Sequence, residues 1–197
     1  MISNFIASSW IEPTAVVLAI IYLLLAIKQN ISCWFAAFFS SLLYFFVMYS
    51  AGLYMEAWLQ IFYCVMAVYG WSQWSACITD DSKFLVRTWT RTQHIKVISL
   101  IFFLAFISGL ALEKLTNAAL PFIDSLTTWG AIVTTYMVAK KLLENWIYWF
   151  VIDSISVFLF YSRGLFLTSM LFLFYLIIIY FGYKSWTQIR DEMNGTT

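Results

Sequence analysis

Asn145, Trp149, Asp153 and Ser156 follow one another at spacings of 4, 4 and 3 residues in an otherwise apolar stretch. On an α-helix these intervals fall on one face, which gathers an amide, an aromatic plane, a carboxylate and a hydroxyl. A carboxylate in hydrocarbon costs at least about 2.5–3.5 kcal/mol on insertion scales, so Asp153 is expected to face a cavity or a partner. Such a face suits a flat, polar, cationic molecule. The carboxylate complements positive charge, the indole attracts cations and stacks on heteroaromatic rings, and the amide bonds a carboxamide or a sugar hydroxyl. The plainer alternative is a helix–helix hydrogen bond that anchors a bundle.

Two further faces carry polar groups. Asp124, Thr127, Thr128, Thr134 and Thr135 share one side of a helical pattern, and Glu56, Gln60 and Tyr63 share another. The threonines, Thr135 among them, either line a cavity or return their hydroxyls to their own backbone. Gln60 lies deeper than Glu56 and offers both donor and acceptor. The single histidine, His94, lies in a basic stretch without a second histidine to pair with, and is expected to be solvated. Cys33, Cys64 and Cys77 lack metal or disulfide spacing and read as packing residues. No cofactor is expected. A membrane-embedded enzyme would need a nucleophile with a base or a metal cluster, and neither is visible, so the chain is not read as an enzyme.

These residues must be positioned by elements in a bilayer. Of the 197 residues, 63% are hydrophobic, 21% aromatic and only 11% charged; soluble domains carry roughly 25% charge. A net charge of +1 with no Arg-rich run argues against nucleic acid as a partner. The N-terminus shows no basic n-region or cleavage motif, so the first apolar stretch is expected to be retained. Charges and turn residues divide the chain into seven apolar segments, near 10–27, 32–49, 55–72, 97–112, 122–139, 145–160 and 165–182. Each is long enough to cross hydrocarbon when aromatic residues anchor its ends. No sustained period-two alternation supports strands. The fold class expected is an all-α integral membrane protein with seven transmembrane helices.

The segments are internally duplicated. Residues 10–74 and 122–186 align without a gap at an offset of 112, with 16 of 65 pairs identical. Trp34 falls on Trp146, Gly52 on Gly164, Gly70 on Gly182 and Trp74 on Trp186. Each copy spans three helices, and the unpaired helix near 97–112 lies between them, reading as a connecting helix that faces lipid. Corresponding helices are therefore four apart, which makes the copies parallel repeats in a 3+1+3 arrangement. The domain order expected is 10–74 as first repeat, 75–121 as cytoplasmic loop and linker helix, 122–186 as second repeat, and 187–197 as a short cytoplasmic tail. Nine Lys and Arg residues fall on the side of the C-terminus and two, Lys114 and Arg163, on the other, placing the N-terminus outside and the C-terminus in the cytoplasm.

Two runs carry a resemblance. Leu59-Gln60-Ile61-Phe62-Tyr63 followed by Tyr69-Gly70-Trp71-Ser72-Gln73-Trp74 is one; Glu144-Asn145-Trp146-Ile147-Tyr148-Trp149 leading into Ile152-Asp153-Ser154-Ile155-Ser156 is the other. Together they resemble the PnuC family of vitamin transporters, over about Trp10 to Trp186. The resemblance implies a SWEET-like fold in the bacterial inner membrane, assembled as a homotrimer. It also implies import of nicotinamide riboside by facilitated diffusion, made directional by a cytoplasmic kinase that phosphorylates and traps the nucleoside. Gln60, Asn145 and Trp149 match motif positions and take a substrate-binding role on that ground. Asp153 stands where the nicotinamide riboside members tend to have asparagine, so the resemblance also admits a thiamine or riboflavin transporter.

The candidate substrate-binding set is Gln60, Tyr63, Thr135, Asn145, Trp149, Asp153 and Ser156. A vitamin would stack on Trp149 and Tyr63 and bond to Gln60 and Asn145 while the repeats rock about it. A non-transporting membrane scaffold is the alternative from another class; it has no need of opposed polar faces.

Overall fold

A computed structural model describes residues 10–50, 54–78, 86–115, 120–162, 166–193 and 195. Among the described residues it contains seven α-helices: α1 (Ile11–Ile27), α2 (Cys33–Ser50), α3 (Tyr54–Ile78), α4 (Arg91–Leu115), α5 (Pro121–Ala139), α6 (Asn145–Ser162) and α7 (Phe166–Met193). The all-α expectation holds. Three helices run longer than their apolar stretches: α3 reaches Ile78, α4 begins at Arg91, and α7 continues to Met193. Polar residues there keep the helical hydrogen bonds going after the apolar pattern has ended, so hydropathy understated the helices. Gly52 and Gly164, paired by the duplication, and Arg163 beside the second lie outside the described residues.

The chain forms two compact units, Met1–Leu85 and Val86–Thr197. In the first, α2 packs on both α1 and α3. Its centre is built from small residues around large rings: Ala15, Ala26, Cys33, Ala36, Ala57 and Ala67 are buried with Trp34 and Trp74. Small side chains let helix backbones approach closely, which is the main source of helix association in lipid. A Cβ on Gly70 would stand 2.4 Å from the Trp34 ring, so only glycine admits the indole there. Ser40 closes the α1–α2 contact by donating its hydroxyl to Ala15 O at 2.9 Å.

In the second unit α5 packs on α4 and α6, and α6 on α7. The fourth helix is thus more than a connector. Ile101, Ala105 and Gly109 recur every four residues and form the buried stripe of α4. Gly109 sits against the Phe122 ring, and Trp129 Nε1–H donates to Ser108 Oγ at 2.9 Å. The opposite side of α4 exposes Ile98, Phe102, Phe103 and Phe106. A helix with aromatic residues outward and small ones inward has the polarity that hydrocarbon surroundings require.

Two of the described helical spans, Arg91–Leu115 and Ser169–Glu192, are long and apolar enough to cross a bilayer unaided. Pro13–Ile27, Cys33–Phe46 and Asn145–Leu159 are shorter apolar stretches.

Both α1 and α5 end in the same way. Gln29 and Lys141 take left-handed backbone conformations, with φ of 51° and 53°. Asn30 N–H then donates to Leu25 O, and Leu142 N–H to Met137 O, both at 3.0 Å. These are Schellman corners, which satisfy the last helical carbonyls and send the chain directly into the next helix. Residues 29 and 141 are 112 apart, the same offset as the sequence duplication.

Candidate functional site

Helix α6 begins immediately after its corner, with Asn145 as its first residue. Asn145, Asp153 and Ser156 are all buried, and Trp149 is half-buried. Ile147, Phe150, Val151, Phe158 and Tyr161 on the same helix are exposed. The polar face read from the 4, 4, 3 spacing is therefore the inward face of α6, and the bulky apolar residues face out. Hydrophobicity alone would have placed these two faces the other way round in a soluble protein.

The groups on that face are differently engaged. The Asn145 Nδ2–H donates to Leu142 O at 2.6 Å, turning the amide back onto the corner. Its Oδ1 is buried without a hydrogen-bond partner among the described residues. An unmet buried acceptor costs roughly 1–3 kcal/mol, so this oxygen is open to a further donor. Asp153 is 4% exposed. Ser156 adds a buried hydroxyl one turn further along.

Thr135 lies on α5, the neighbour of α6, and is buried. Its Oγ1–H donates to Ala131 O at 2.7 Å, and Thr134 Oγ1–H to Gly130 O at 2.8 Å. Thr127 likewise bonds back to Ile123 O and Asp124 O. The hydroxyl protons of Thr127, Thr134 and Thr135 are spent on the backbone of α5, so Thr135 has only acceptor capacity to offer. Close contact of α5 with α6 comes at Gly130, where a Cβ would lie 3.1 Å from the Ile152 side chain.

Gln60 and Tyr63 belong to the first unit, three residues apart on α3 and both half-buried. Tyr63 and Phe62 hold their rings 5.9 Å apart. The four α6 residues thus share one helix face in the second unit with Thr135 on the adjoining helix, while Gln60 and Tyr63 share a face of α3 in the first.

His94 is not solvated as expected. It sits in the first turn of α4 with 23% of its side chain exposed, its Nδ1 2.9 Å from Tyr148 Oη and its Nε2 3.6 Å from Glu144 Oε1. Pairing by sequence pattern missed this because the partners are 50 and 54 residues away and only the folded corner brings them together.

The buried face has a counterpart at the offset of 112. Cys33 stands for Asn145 and Ser41 for Asp153, and both are buried in α2. The repeat keeps the face and changes its chemistry.

Comparison with known proteins gives a consistent result. The chain is 25% identical over 209 residues to the nicotinamide riboside transporter PnuC of Escherichia coli (strain K12), covering 93% of this chain and 87% of that one. It is 26% identical over 185 residues to the riboflavin/roseoflavin transporter RibM of Streptomyces davaonensis, covering 90% and 84%. A crystal structure of the vitamin B3 transporter PnuC superposes with a TM-score of 0.73 at 22% identity, covering 94% of this chain and 84% of that one, which places the fold. Residues 9–188 match the nicotinamide mononucleotide transporter family, and the chain is a member of that family of membrane transporters.

Proposed function

We propose that this protein imports nicotinamide riboside across the bacterial inner membrane by facilitated diffusion. The observation that carries the reading is the inward polar face of α6, in which Asn145, Asp153 and Ser156 are buried while the apolar residues of the same helix are exposed. In a chain of this family, buried polar groups in an apolar helix mark a substrate path. Trp149 would stack on the pyridinium ring, Asp153 would complement its charge, and the open Oδ1 of Asn145 would accept from the carboxamide. Gln60 and Tyr63 would supply contacts from the first repeat, and Thr135 and Ser156 would add hydroxyl acceptors.

The domain order from the sequence supports parallel three-helix repeats, residues 10–74 and 122–186, rocking about a bound substrate to alternate its access. The charge asymmetry puts the C-terminus in the cytoplasm. A homotrimer, with a pathway in each subunit and a cytoplasmic kinase that traps the product, completes the reading.

A second vitamin has its own support. RibM, whose name specifies riboflavin and roseoflavin, matches this chain with an identity similar to that of the Escherichia coli transporter. Thiamine, another cationic heteroaromatic, would also complement Asp153. Proteoliposomes loaded with this protein should take up labelled nicotinamide riboside faster than thiamine or riboflavin, measured side by side. Preferential flux of either rival would replace the substrate, and absence of any flux would leave a membrane scaffold. Uptake that collapses with a protonophore would overturn simple facilitated diffusion.

A further inference from the structure

The corner between α5 and α6 is stitched from outside by the segment that precedes α4. Arg87 N–H donates to Lys141 O at 3.0 Å and Leu143 N–H to Arg87 O at 2.9 Å, so residues 86–90 run as a strap beside the corner. Side chains add the next link. Trp89 N–H donates to Glu144 Oε1 at 3.0 Å, and His94 Nε2 lies 3.6 Å from the same oxygen. The His94 ring stacks against Tyr148 at 5.8 Å and meets Trp89 edge-on at 5.6 Å. A carboxylate only accepts, so with the imidazole Nε2–H turned toward Glu144, Nδ1 accepts a hydrogen bond from the Tyr148 hydroxyl. Strap and α4 converge on the carboxylate of the residue that precedes α6.

Three observations set this cluster apart from ordinary packing. The first unit builds the same Schellman corner and the same tryptophan–glycine contact at Gly70, yet the counterparts of Glu144 and Tyr148 there are Ser32 and Ala36. A three-helix repeat therefore folds its corner without the cluster. Next, Glu144 Oε2 is buried with no hydrogen-bond partner among the described residues. A glutamine would accept the Trp89 N–H without leaving part of an anion unsolvated, so the charge itself serves the contact with His94. Lastly, the residue after Glu144 is Asn145, fully buried, with one end of its amide tied to Leu142 O and the other left as an open acceptor.

We propose that Glu144, clamped by Trp89 and His94, is a positioning residue that holds the Asn145 amide in the orientation substrate requires. The inference rests on the reading of Asn145 as a substrate-binding residue. Substrate does not touch Glu144. Its contribution passes through the backbone of the corner, where a small rotation would swing Oδ1 away from its donor; binding geometry tolerates such errors poorly.

The test is equilibrium binding of labelled nicotinamide riboside to the purified full-length protein, with melting temperature followed in parallel. Glu144→Gln and His94→Gln are each expected to weaken binding by about tenfold, the size of coupling seen between contacting groups. His94 is on a different helix, so its variant decides the matter even if Glu144→Gln does not fold. In an Asn145→Ala background the His94→Gln change is expected to cost no further affinity, because no amide remains to be positioned. An unchanged affinity with a lowered melting temperature would make the cluster an ordinary structural contact and overturn the proposal. So would a full additive loss in the double variant. If Asn145→Ala alone binds like the wild type, the reading of the substrate site fails, and this inference fails with it.

Discussion

Trp34 meets Trp74 edge-on, with ring centroids 5.4 Å apart and planes at 85°, and 112 residues later Trp146 meets Trp186 at 5.5 Å and 87°. The third member of each group is a glycine. A Cβ on Gly70 would lie 2.4 Å from Trp34, and one on Gly182 would lie 2.4 Å from Trp146. Each indole fills the place where a neighbouring helix has no side chain, and the duplication has preserved all three partners.

That contact makes the first prediction. Gly182→Ala, or Gly70→Ala, forces the facing indole off its rotamer or the helices apart, and overpacking of this kind costs about 1–3 kcal/mol. The melting temperature in detergent is expected to fall for either variant. Adding Trp146→Phe to Gly182→Ala frees space and should recover part of the loss, whereas Trp146→Phe alone should destabilise by leaving a void. Two losses that simply add would show that ring and glycine do not share the site.

The corners give a second, oppositely ordered test. At Gln29 and Lys141 the positive φ penalises any residue with a Cβ by about 1–2 kcal/mol relative to glycine. Glycine is normally the weaker choice near helices, by about 1 kcal/mol against alanine. Here Gln29→Gly is expected to be more stable than Gln29→Ala, and Lys141→Gly more stable than Lys141→Ala. Chemical denaturation of the four variants reads the order directly, and alanine above glycine at either position would refute the left-handed assignment.

How much of this was legible beforehand depends on which kind of force set each feature. The seven helices and the inward face of α6 follow from hydropathy and a period of 3.6, which one sequence displays in full. The offset of 112 exposed Trp34/Trp146 and Gly70/Gly182 as pairs, but gave no hint that ring and glycine touch. The corners at Gln29 and Lys141 were hidden because neither residue is the glycine or asparagine that usually signals a left-handed cap. The contact of His94 with Glu144 was hidden for another reason: it closes a loop of 50 residues through a strap held to the corner by its own backbone groups, which leave no mark in the sequence. The threonines of α5 were legible as a face but not in their use, since a hydroxyl bonded to its own helix looks the same in sequence as one aimed at a ligand.

The docking of α4 on α5 supplies a third prediction. Trp129 donates its indole N–H to Ser108 Oγ at 2.9 Å, and the Ser108 hydroxyl in turn donates to Leu104 O. Ser108→Ala leaves the indole N–H without its acceptor in an apolar setting. Interhelical hydrogen bonds of this kind are worth about 0.6 kcal/mol on average and up to about 1.7 kcal/mol. A modest drop in melting temperature is expected for Ser108→Ala and little for Ser108→Thr, which keeps the oxygen. Equal effects from the two variants would assign the contact to packing instead.

Asp153 carries the last prediction, because it separates recognition of charge from recognition of shape. The residue is 4% exposed, on the same helix face as Asn145, Trp149 and Ser156. Asparagine has nearly the same volume and keeps an acceptor oxygen, so Asp153→Asn removes charge while leaving packing almost unaltered. If the carboxylate faces the pyridinium of nicotinamide riboside, affinity should fall by about thirtyfold or more, in line with the 2–5 kcal/mol cost of removing one partner of a buried charge pair. Riboflavin carries no such cation, and its binding, where measurable, should be unchanged or improved because a buried anion has been removed. Parallel titrations of the wild type and Asp153→Asn with the two vitamins are therefore expected to show a loss for nicotinamide riboside and none for riboflavin. Equal losses for both would make Asp153 a structural anchor of α6, and no loss for either would remove it from the site altogether.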